Sequence, residues 1–571
     1  MAKYKTDHRD IYFNLFDLLQ VDQKSSDMSA DELKGIIEEY DRYVANEIYT
    51  CRENGDQVGV KLNQGKVKVP QSFEKATRGF YENGWFALGL PEEFGGVPVP
   101  HAVSIACASL STGANTAWMM YPGLAKAALN LILERASAEQ RQLYAPPMIA
   151  GQFGGTMCLT EPNAGSDLGE IKTTAKPIGN GLYSISGSKI FISSGDSQLF
   201  ENIVHLVLAR TPGAPSGTSG LSLFIVPKYR VEADGSIGAF NDVSCSKIEE
   251  KMGLHAQATC ELLFGANQDC QGQLIGQEGE GIKHMFVMMN EARLGTGLQG
   301  EAQSNLAYML TEQYVRERSQ FGKNIVEHPD VKKNMLKIRA MSRGMRALCL
   351  YAANLFDQGE EGEAEVGLLT PVCKAYCTDE AMKTTTDAVQ MHGGYGYCSE
   401  YGVEQFMRDT KIAAIYEGTN GIQAIDFVMR KILRDQGQTL QKLGAKIQSS
   451  LANGCESWPE ETKLMASSLS KSVEIVGHFA KQAQSNAIDE VLTYCCEFLE
   501  FSGHLITAWR LLESAKRAED LLKSGASGDE KAFLDSKITD FKVFCHFYLR
   551  KNISLGKTIL EPSFKLADHS Y

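Results

Sequence analysis

The sequence predicts a multidomain α+β protein that is helical at both ends, with a β domain between. Three observations carry this. From about Gly151 to Gly281 glycine becomes frequent, and short β-branched or aromatic runs alternate with turn clusters such as TPGAPSGTSG at 211–220. On both sides of that stretch, apolar residues recur at helical spacing with few breakers. The length, 571 residues, is enough for roughly three or four domain-sized units with a large buried core. The changes of texture place an N-terminal helical appendage at 1–28, an N-terminal helical domain at 29–150 and a middle β-barrel or sandwich domain at 151–281. A C-terminal helical bundle follows at 282–435, then an additional C-terminal helical domain at 436–571.

In chain order, Ile11, Leu15, Leu18 and Leu19 fall on one face of a short amphipathic helix, with Asp7 and Asp10 suited to its first turn. Ser29 and Glu32 are spaced as a capping box ahead of Leu33, Ile36, Ile37, Tyr40 and Val44. LPEEFGG at 90–96 is a turn between helices. The strand candidates are 182–186, 189–192, 203–208, 221–226 and 260–264. Beyond Ile282 the pattern is helical to the end, with loops at 453–459 and 525–529.

Composition excludes several classes. The net charge of −13 argues against a nucleic-acid partner, although a local basic cleft for an anionic substrate is compatible with it. No apolar run approaches the roughly 18 residues of a membrane span, so stable membrane insertion is not expected. The 14 cysteines form no CxxC pairs, and neither Cys495-Cys496 nor Cys373-xxx-Cys377 makes a zinc pattern, so no metal is expected. The charged start MAKYKTDHRD lacks a signal-peptide core, and a cytoplasmic enzyme with reduced thiols is the expectation.

Candidate chemistry is concentrated in 390–423, QMHGGYGYCSEYGVEQFMRDTKIAAIYEGTNGIQ. Glu417 follows the apolar run Ile412–Ile415 and precedes a glycine. A carboxylate there suits a general base, because desolvation raises its pKa toward working pH. Taken alone it reads as a solvated helix-end Glu, as most Glu residues are. Thr160-Glu-Pro-Asn-Ala-Gly-Ser166 offers hydroxyls and open backbone N–H groups, which suit an anion or equally an ordinary polar loop. Gly295-Thr-Gly297-Leu-Gln-Gly300 matches the dinucleotide GxGxxG fingerprint letter for letter. That fingerprint needs a preceding strand, and the run 283–294 reads as helix, so a Rossmann site is not expected.

Four blocks stand in order: MCLTEPNAGSDLGEIKT (157–173), KMGLHAQATCELLF (251–264), RERSQFGKNIVEH (316–328) and the YEGT of 416–419. Together they resemble the FAD-dependent acyl-CoA dehydrogenases over roughly residues 30–435. The segments YKTDHRDIYFNLFDLLQ and IYEGTNGIQAIDFVMRKIL are most similar to an extended subgroup with an extra C-terminal helical domain. Its members act on methylthio-substituted or broad-range fatty acyl-CoA thioesters.

The resemblance implies FAD as cofactor and α,β-dehydrogenation of an acyl-CoA to the trans-2-enoyl-CoA, with Glu417 as the catalytic base. It implies an electron-transferring flavoprotein as acceptor and a homodimer as assembly. An acyl-CoA oxidase, or a non-catalytic scaffold on the same fold, is the alternative. By the same resemblance Leu159 and Thr160 lie along the flavin ring, Ser166 sits near phosphate or substrate, and Met157 and Gly165 belong to the cofactor-binding set. Phe191 and Ser193 stand where the family usually has Trp and Thr. Arg318 and Phe321, with Gln390, Gly393 and Gly394, cradle the pyrophosphate and adenosine of a neighbouring subunit's FAD, and Thr419 completes the cofactor set. Arginine suits that role because its planar fork binds phosphate bidentately. The family's Gln after the EH dipeptide is Pro329 here. Ser166, Asn290, Arg293, Tyr416 and Gly418 fall at substrate positions. Some members carry the base immediately before Arg293, where this chain has Ala292; Glu291 is one residue earlier, about 100° away around a helix.

Overall fold

Ser29 and Glu32 close the capping box reciprocally: Ser29 N donates to Glu32 Oε2 at 2.8 Å, and Glu32 N donates to Ser29 Oγ at 3.3 Å. The helix Ala30–Tyr43 follows. The computed structural model describes residues 4–24, 27–453, 456–562 and 565. It divides into two compact units: a first of Met1–Glu38, Pro100–Gly113 and Arg293–Tyr571, and a second of Glu39–Val99 and Ala114–Ala292.

The second unit is built around a mixed eight-stranded sheet. Its strands are β1 (Phe153–Cys158), β2 (Thr174–Gly179), β3 (Leu182–Ser193), β4 (Asn202–Arg210), β5 (Leu221–Pro227), β6 (Val243–Ile248), β7 (Thr259–Phe264) and β8 (Gln271–Ile275). The order is β6-β7-β3-β8-β5-β4-β1, and β2 pairs with both β3 and β4. The pairings β3-β8-β5-β4-β2-β3 therefore close on themselves, which removes open edges from that part of the sheet. Strands β4 and β5 are buried on both faces, which is why they read as unbroken apolar runs. The strand candidates 182–186 and 189–192 are one strand, β3, passing through Gly187. Asn115 interrupts the helical run His101–Arg135 with extended backbone, and its side chain caps the next turn, accepting from Trp118 N at 3.1 Å.

The first unit is helical. The glycines of the false fingerprint lie inside the helix Gly281–Glu317, as expected. Two of them, Gly297 and Gly300, are small because a neighbouring helix, Glu360–Met391, approaches closely, while Gly295 faces open space. A Cβ at Gly297 would stand 2.5 Å from Cys373 O, and one at Gly300 would stand 2.6 Å from Cys377 O. The N-terminal segment begins with Asp7 capping His8–Tyr12 and continues as a π-helix, Phe13–Leu19. Phe13 packs with Ala518 and Leu534. Asp10, read from sequence as a first-turn acid, is also a buried anchor. It accepts from Lys537 Nζ at 2.7 Å and Arg346 Nη1 at 3.1 Å. Burial alone would raise its carboxyl, but Lys537, Arg343 and Arg346 outweigh it and hold the group well below the usual range. No helix among the described residues is long and apolar enough to cross a membrane.

Candidate active site

In the second unit the loop after β1 carries Leu159, Thr160, Gly165 and Ser166. It is held from beneath by a carboxylate and a lysine that the sequence reading passed over. Glu161 accepts from Lys172 N at 2.7 Å, Thr173 N at 3.0 Å, Thr173 Oγ1 at 2.5 Å and Lys189 Nζ at 2.8 Å. Lys189 is fully buried and also donates to Leu159 O at 3.0 Å. Burial works to raise the Glu161 carboxyl, but Lys189 and the remaining donors hold it below its ordinary value. The visible signal was a lysine inside an otherwise β-rich run, since a charge on a buried strand face needs a partner.

Phe191 lies in the bulge of β3. The register with β7 shifts from Cys260↔Ile192 to Leu262↔Lys189, so Ile190 and Phe191 together oppose Glu261. Phe191 has φ +57° and is 60% exposed, an unusual place for a phenylalanine and one that turns its ring outward. Met157, Leu159, Thr160 and Ser193 are half-buried nearby in sequence, while Gly165 and Ser166 are exposed. Asn290 and Glu291 lie late in the same unit's share of the helix Gly281–Glu317. Asn130 Nδ2 donates to both Glu291 carboxylate oxygens, at 3.0 and 3.2 Å.

In the first unit Glu417 sits on the bend between Lys411–Ala414 and Asn420–Ile425. Its φ is +55°, a left-handed conformation that costs a non-glycine residue energy and must be held by its surroundings. Those surroundings are specific. Lys374 Nζ donates to Gly418 O at 2.8 Å and Asn420 Oδ1 at 2.7 Å. Asn420 Nδ2 donates to Asp379 Oδ1 at 2.8 Å, and Gln423 Nε2 donates to Glu417 O at 2.8 Å. Gly418 has φ +80°, and a Cβ there would meet Gln423 Nε2 at 2.9 Å. Thr419 caps the following helix by accepting from Ile422 N at 3.3 Å. Tyr416 hydroxyl donates to Gln299 Oε1, and buried Arg293 pairs with Asp426 at 2.8 Å.

The loop is thus pinned at its backbone while its functional atoms are left open. Among the described residues, neither the Glu417 carboxylate nor its backbone N–H has a hydrogen-bond partner. The carboxylate presents open surface, yet the protein around it displaces enough water that desolvation pushes its pKa up, against the pull of Lys374 and Arg293. Burial lowers Lys374 itself to about 8, in spite of Asp379 and Glu417. Sequence reading missed Lys374, Asn420 and Gln423. A lysine within the buried stretch Val372-Cys-Lys-Ala-Tyr376 was the available clue.

A second set of candidate residues in this unit lies at its surface. Arg318 lies over the Tyr395 ring at 5.4 Å. Phe321, at the tip of the hairpin Ser319–Gln320/Lys323–Asn324, is 94% exposed with φ +52°. Gln390, Gly393 and Gly394 are exposed at the end of Glu360–Met391, and no atom lies within 4 Å of a Cβ built on either glycine. An exposed aromatic tip, which meets only the His328 ring edge-on at 5.9 Å among the described residues, a guanidinium and open backbone suit a ligand carrying a flat ring and phosphate. In the second unit, the exposed Phe191 and the hydroxyls of the loop after β1 suit a flat ring system, so each set of residues, taken by itself, fits a part of FAD.

Comparison with known proteins accords with this geometry. Family models match along the chain: acyl-CoA dehydrogenase N-terminal domain over 31–152, middle domain over 156–266 and C-terminal domain over 279–433, then acetyl-CoA dehydrogenase C-terminal like over 439–568. The 3-methylmercaptopropionyl-CoA dehydrogenase of Ruegeria pomeroyi is 35% identical, with 95% of each chain covered. The broad-specificity linear acyl-CoA dehydrogenase FadE5 of Mycobacterium tuberculosis is 35% identical, with 96% of each chain covered. The crystal structure of an acyl-CoA dehydrogenase complexed with FAD from Bacillus anthracis matches with a TM-score of 0.78 at 23% identity, over 96% of this chain and 91% of that one. At that identity the likeness speaks for the fold.

Proposed function

The chain belongs to the FAD-binding acyl-CoA dehydrogenase family, and from that premise we propose that it oxidises an acyl-CoA thioester to the trans-2-enoyl-CoA with Glu417 as the base. The observation that carries this reading is the state of Glu417: strained, its carboxylate unpartnered and its pKa raised, on a loop held through the Glu417 and Gly418 carbonyls and the Asn420 side chain. A base of that kind is poised to take a proton because nothing else claims its oxygens. Glu417 removes the α-proton of the thioester. The unpaired Glu417 N–H donates to the thioester oxygen and stabilises the enolate-like charge that develops there. Bound FAD supplies the acceptor for the β-hydrogen, which leaves with its electron pair.

Met157, Leu159, Thr160, Gly165, Ser166, Phe191, Ser193 and Thr419 hold and shield the flavin. Arg318, Phe321, Gln390, Gly393 and Gly394 bind its phosphate and adenosine end from a neighbouring copy, which makes the enzyme a homodimer at least. Ser166, Asn290, Arg293, Tyr416 and Gly418 face the acyl-CoA. Electrons pass on to an electron-transferring flavoprotein, and the enzyme works in the cytoplasm on fatty or methylthio-substituted acyl groups.

The test is turnover against a ladder of acyl-CoA thioesters, including the methylthio analogue, with an electron-transferring flavoprotein or with oxygen alone as acceptor. Enoyl-CoA formation that requires the flavoprotein supports the reading. No enoyl product from any thioester, or peroxide equal to product under oxygen alone, overturns it.

A further inference from the structure

Glu380, Glu500 and His504 bring two carboxylates and an imidazole together, with their ligand atoms all within 4.8 Å of one another. Glu380 comes from Glu360–Met391. Glu500 and His504 stand one turn apart on the helix Cys495–Lys523, where i, i+4 spacing turns both toward one side. No short-range spacing in the sequence reports the cluster, because it is assembled from two helices far apart in the chain.

His504 is the informative member. Its side chain is fully buried. Nδ1 lies 3.0 Å from Asn552 Oδ1, and Asn552 Nδ2 is spent on Phe501 O at 3.0 Å. The Asn552 oxygen therefore takes the Nδ1 proton, which leaves Nε2 with a bare lone pair. Nε2 has no hydrogen-bond partner, and the Glu500 oxygen at 4.0 Å is beyond hydrogen-bond reach. The Tyr376 ring, edge-on at 5.5 Å, fixes the imidazole plane. An oriented, buried imidazole with an unclaimed nitrogen facing carboxylates has the posture of a metal ligand.

A lysine now stands at the mouth of the cluster. Lys383 Nζ lies 2.7 Å from Glu380 and 3.4 Å from Glu500, with its side chain 52% exposed. A single ammonium leaves the two carboxylates with one uncompensated charge, and with its Nζ on Glu380 and Glu500 the Nε2 lone pair is left without a donor. A divalent cation balances both carboxylates and takes the lone pair, and the half-exposed lysine has room to withdraw into water.

We propose that Glu380, Glu500 and His504 form a binding site for a divalent cation of the zinc class, with Lys383 as a displaceable plug. An imidazole with only two carboxylates favours zinc-like ions over calcium or magnesium, which prefer larger sets of oxygen ligands. The cation staples Cys495–Lys523 to the helix that carries Lys374 and Asp379, the residues that hold the Glu417 loop.

The experiment uses the full-length holoenzyme dialysed against a chelator, then titrated with zinc chloride and followed by calorimetry and thermal melting. Saturable uptake with a rise in melting temperature is expected. Lys383→Met should tighten binding about tenfold or more, since it removes a competing cation within contact distance. Glu500→Gln and Asn552→Ala should each weaken it by roughly 10–100-fold, the usual effect of losing a ligand or its orienting partner. Glu500 is partly exposed, so its variant tests the site even where a change at buried His504 prevents folding. No uptake by either the wild type or Lys383→Met overturns the proposal. So does equal binding by Glu500→Gln and the wild type, which would identify the ion as adventitious.

Discussion

Glu161 in the second unit and Glu417 in the first are the same residue in opposite surroundings. Glu161 accepts hydrogen bonds from Lys172, Thr173 and Lys189, and those partners hold its pKa down. Glu417 has its loop pinned by Lys374, Asn420 and Gln423, while its carboxylate is left without a donor and its pKa is pushed up. On the reading proposed above, the difference separates a clamp from a base. A carboxylate whose lone pairs are filled holds structure, and one kept empty on a rigid, strained support is available for proton transfer. Each unit thus carries a buried lysine serving a loop: Lys189 pairs directly with its carboxylate, whereas Lys374 holds the backbone beside its own.

The comparison breaks first at Glu417. Glu417→Gln keeps size and polarity but cannot take a proton, so anaerobic flavin bleaching by an acyl-CoA should slow by at least ~10²-fold while FAD stays bound. Glu291→Gln is the control. Its carboxylate is already engaged by Asn130, and the variant should stay within a few-fold of the wild type. Bleaching at the wild-type rate by Glu417→Gln but not by Glu291→Gln would move the base to the other residue.

Glu161→Gln should act on the fold instead. It leaves Lys189 charged and buried without its counter-ion, at a cost of about 3–5 kcal/mol. Chemical denaturation should show that loss, together with weakened flavin retention. A variant as stable as the wild type would remove Glu161 from the role of clamp. Arg318→Ala should fold normally yet lose FAD on dialysis, since a charge-assisted phosphate contact contributes about 1.5–3 kcal/mol. Full FAD occupancy after dialysis would contradict the cradle of Arg318, Gly393 and Gly394.

What sequence could and could not supply follows the same line. Local rules were legible: the Ser29/Glu32 box, the helical identity of the glycines at 295–300 and the loop at 416–419 all depend on near neighbours. Strands β1, β2, β6 and β8 were not singled out. Gly154-Gly155 in β1 and Lys176-Pro177 in β2 look like loop residues, and only pairing across the sheet makes them strands. Glu161, Lys189 and Lys374 were missed for a related reason. Their partners lie 11 to 46 residues away, and no spacing rule reports a salt bridge closed by tertiary packing.

The most direct test of the contrast between the carboxylates is the melting temperature of Glu417→Gln against the wild type as a function of pH. A carboxyl whose folded pKa is raised favours folding while protonated, and that contribution is lost as pH rises from the unfolded value through the folded one. Ionised Glu417 therefore costs the folded enzyme stability at neutral pH. Glu417→Gln, though catalytically crippled, should melt above the wild type at pH 7.5, with the advantage vanishing below about pH 4, where the unfolded carboxyl is also protonated. A variant that melts below the wild type at pH 7.5 would mean that Glu417 is a partnered structural carboxylate like Glu161, and the assignment of the base would fall.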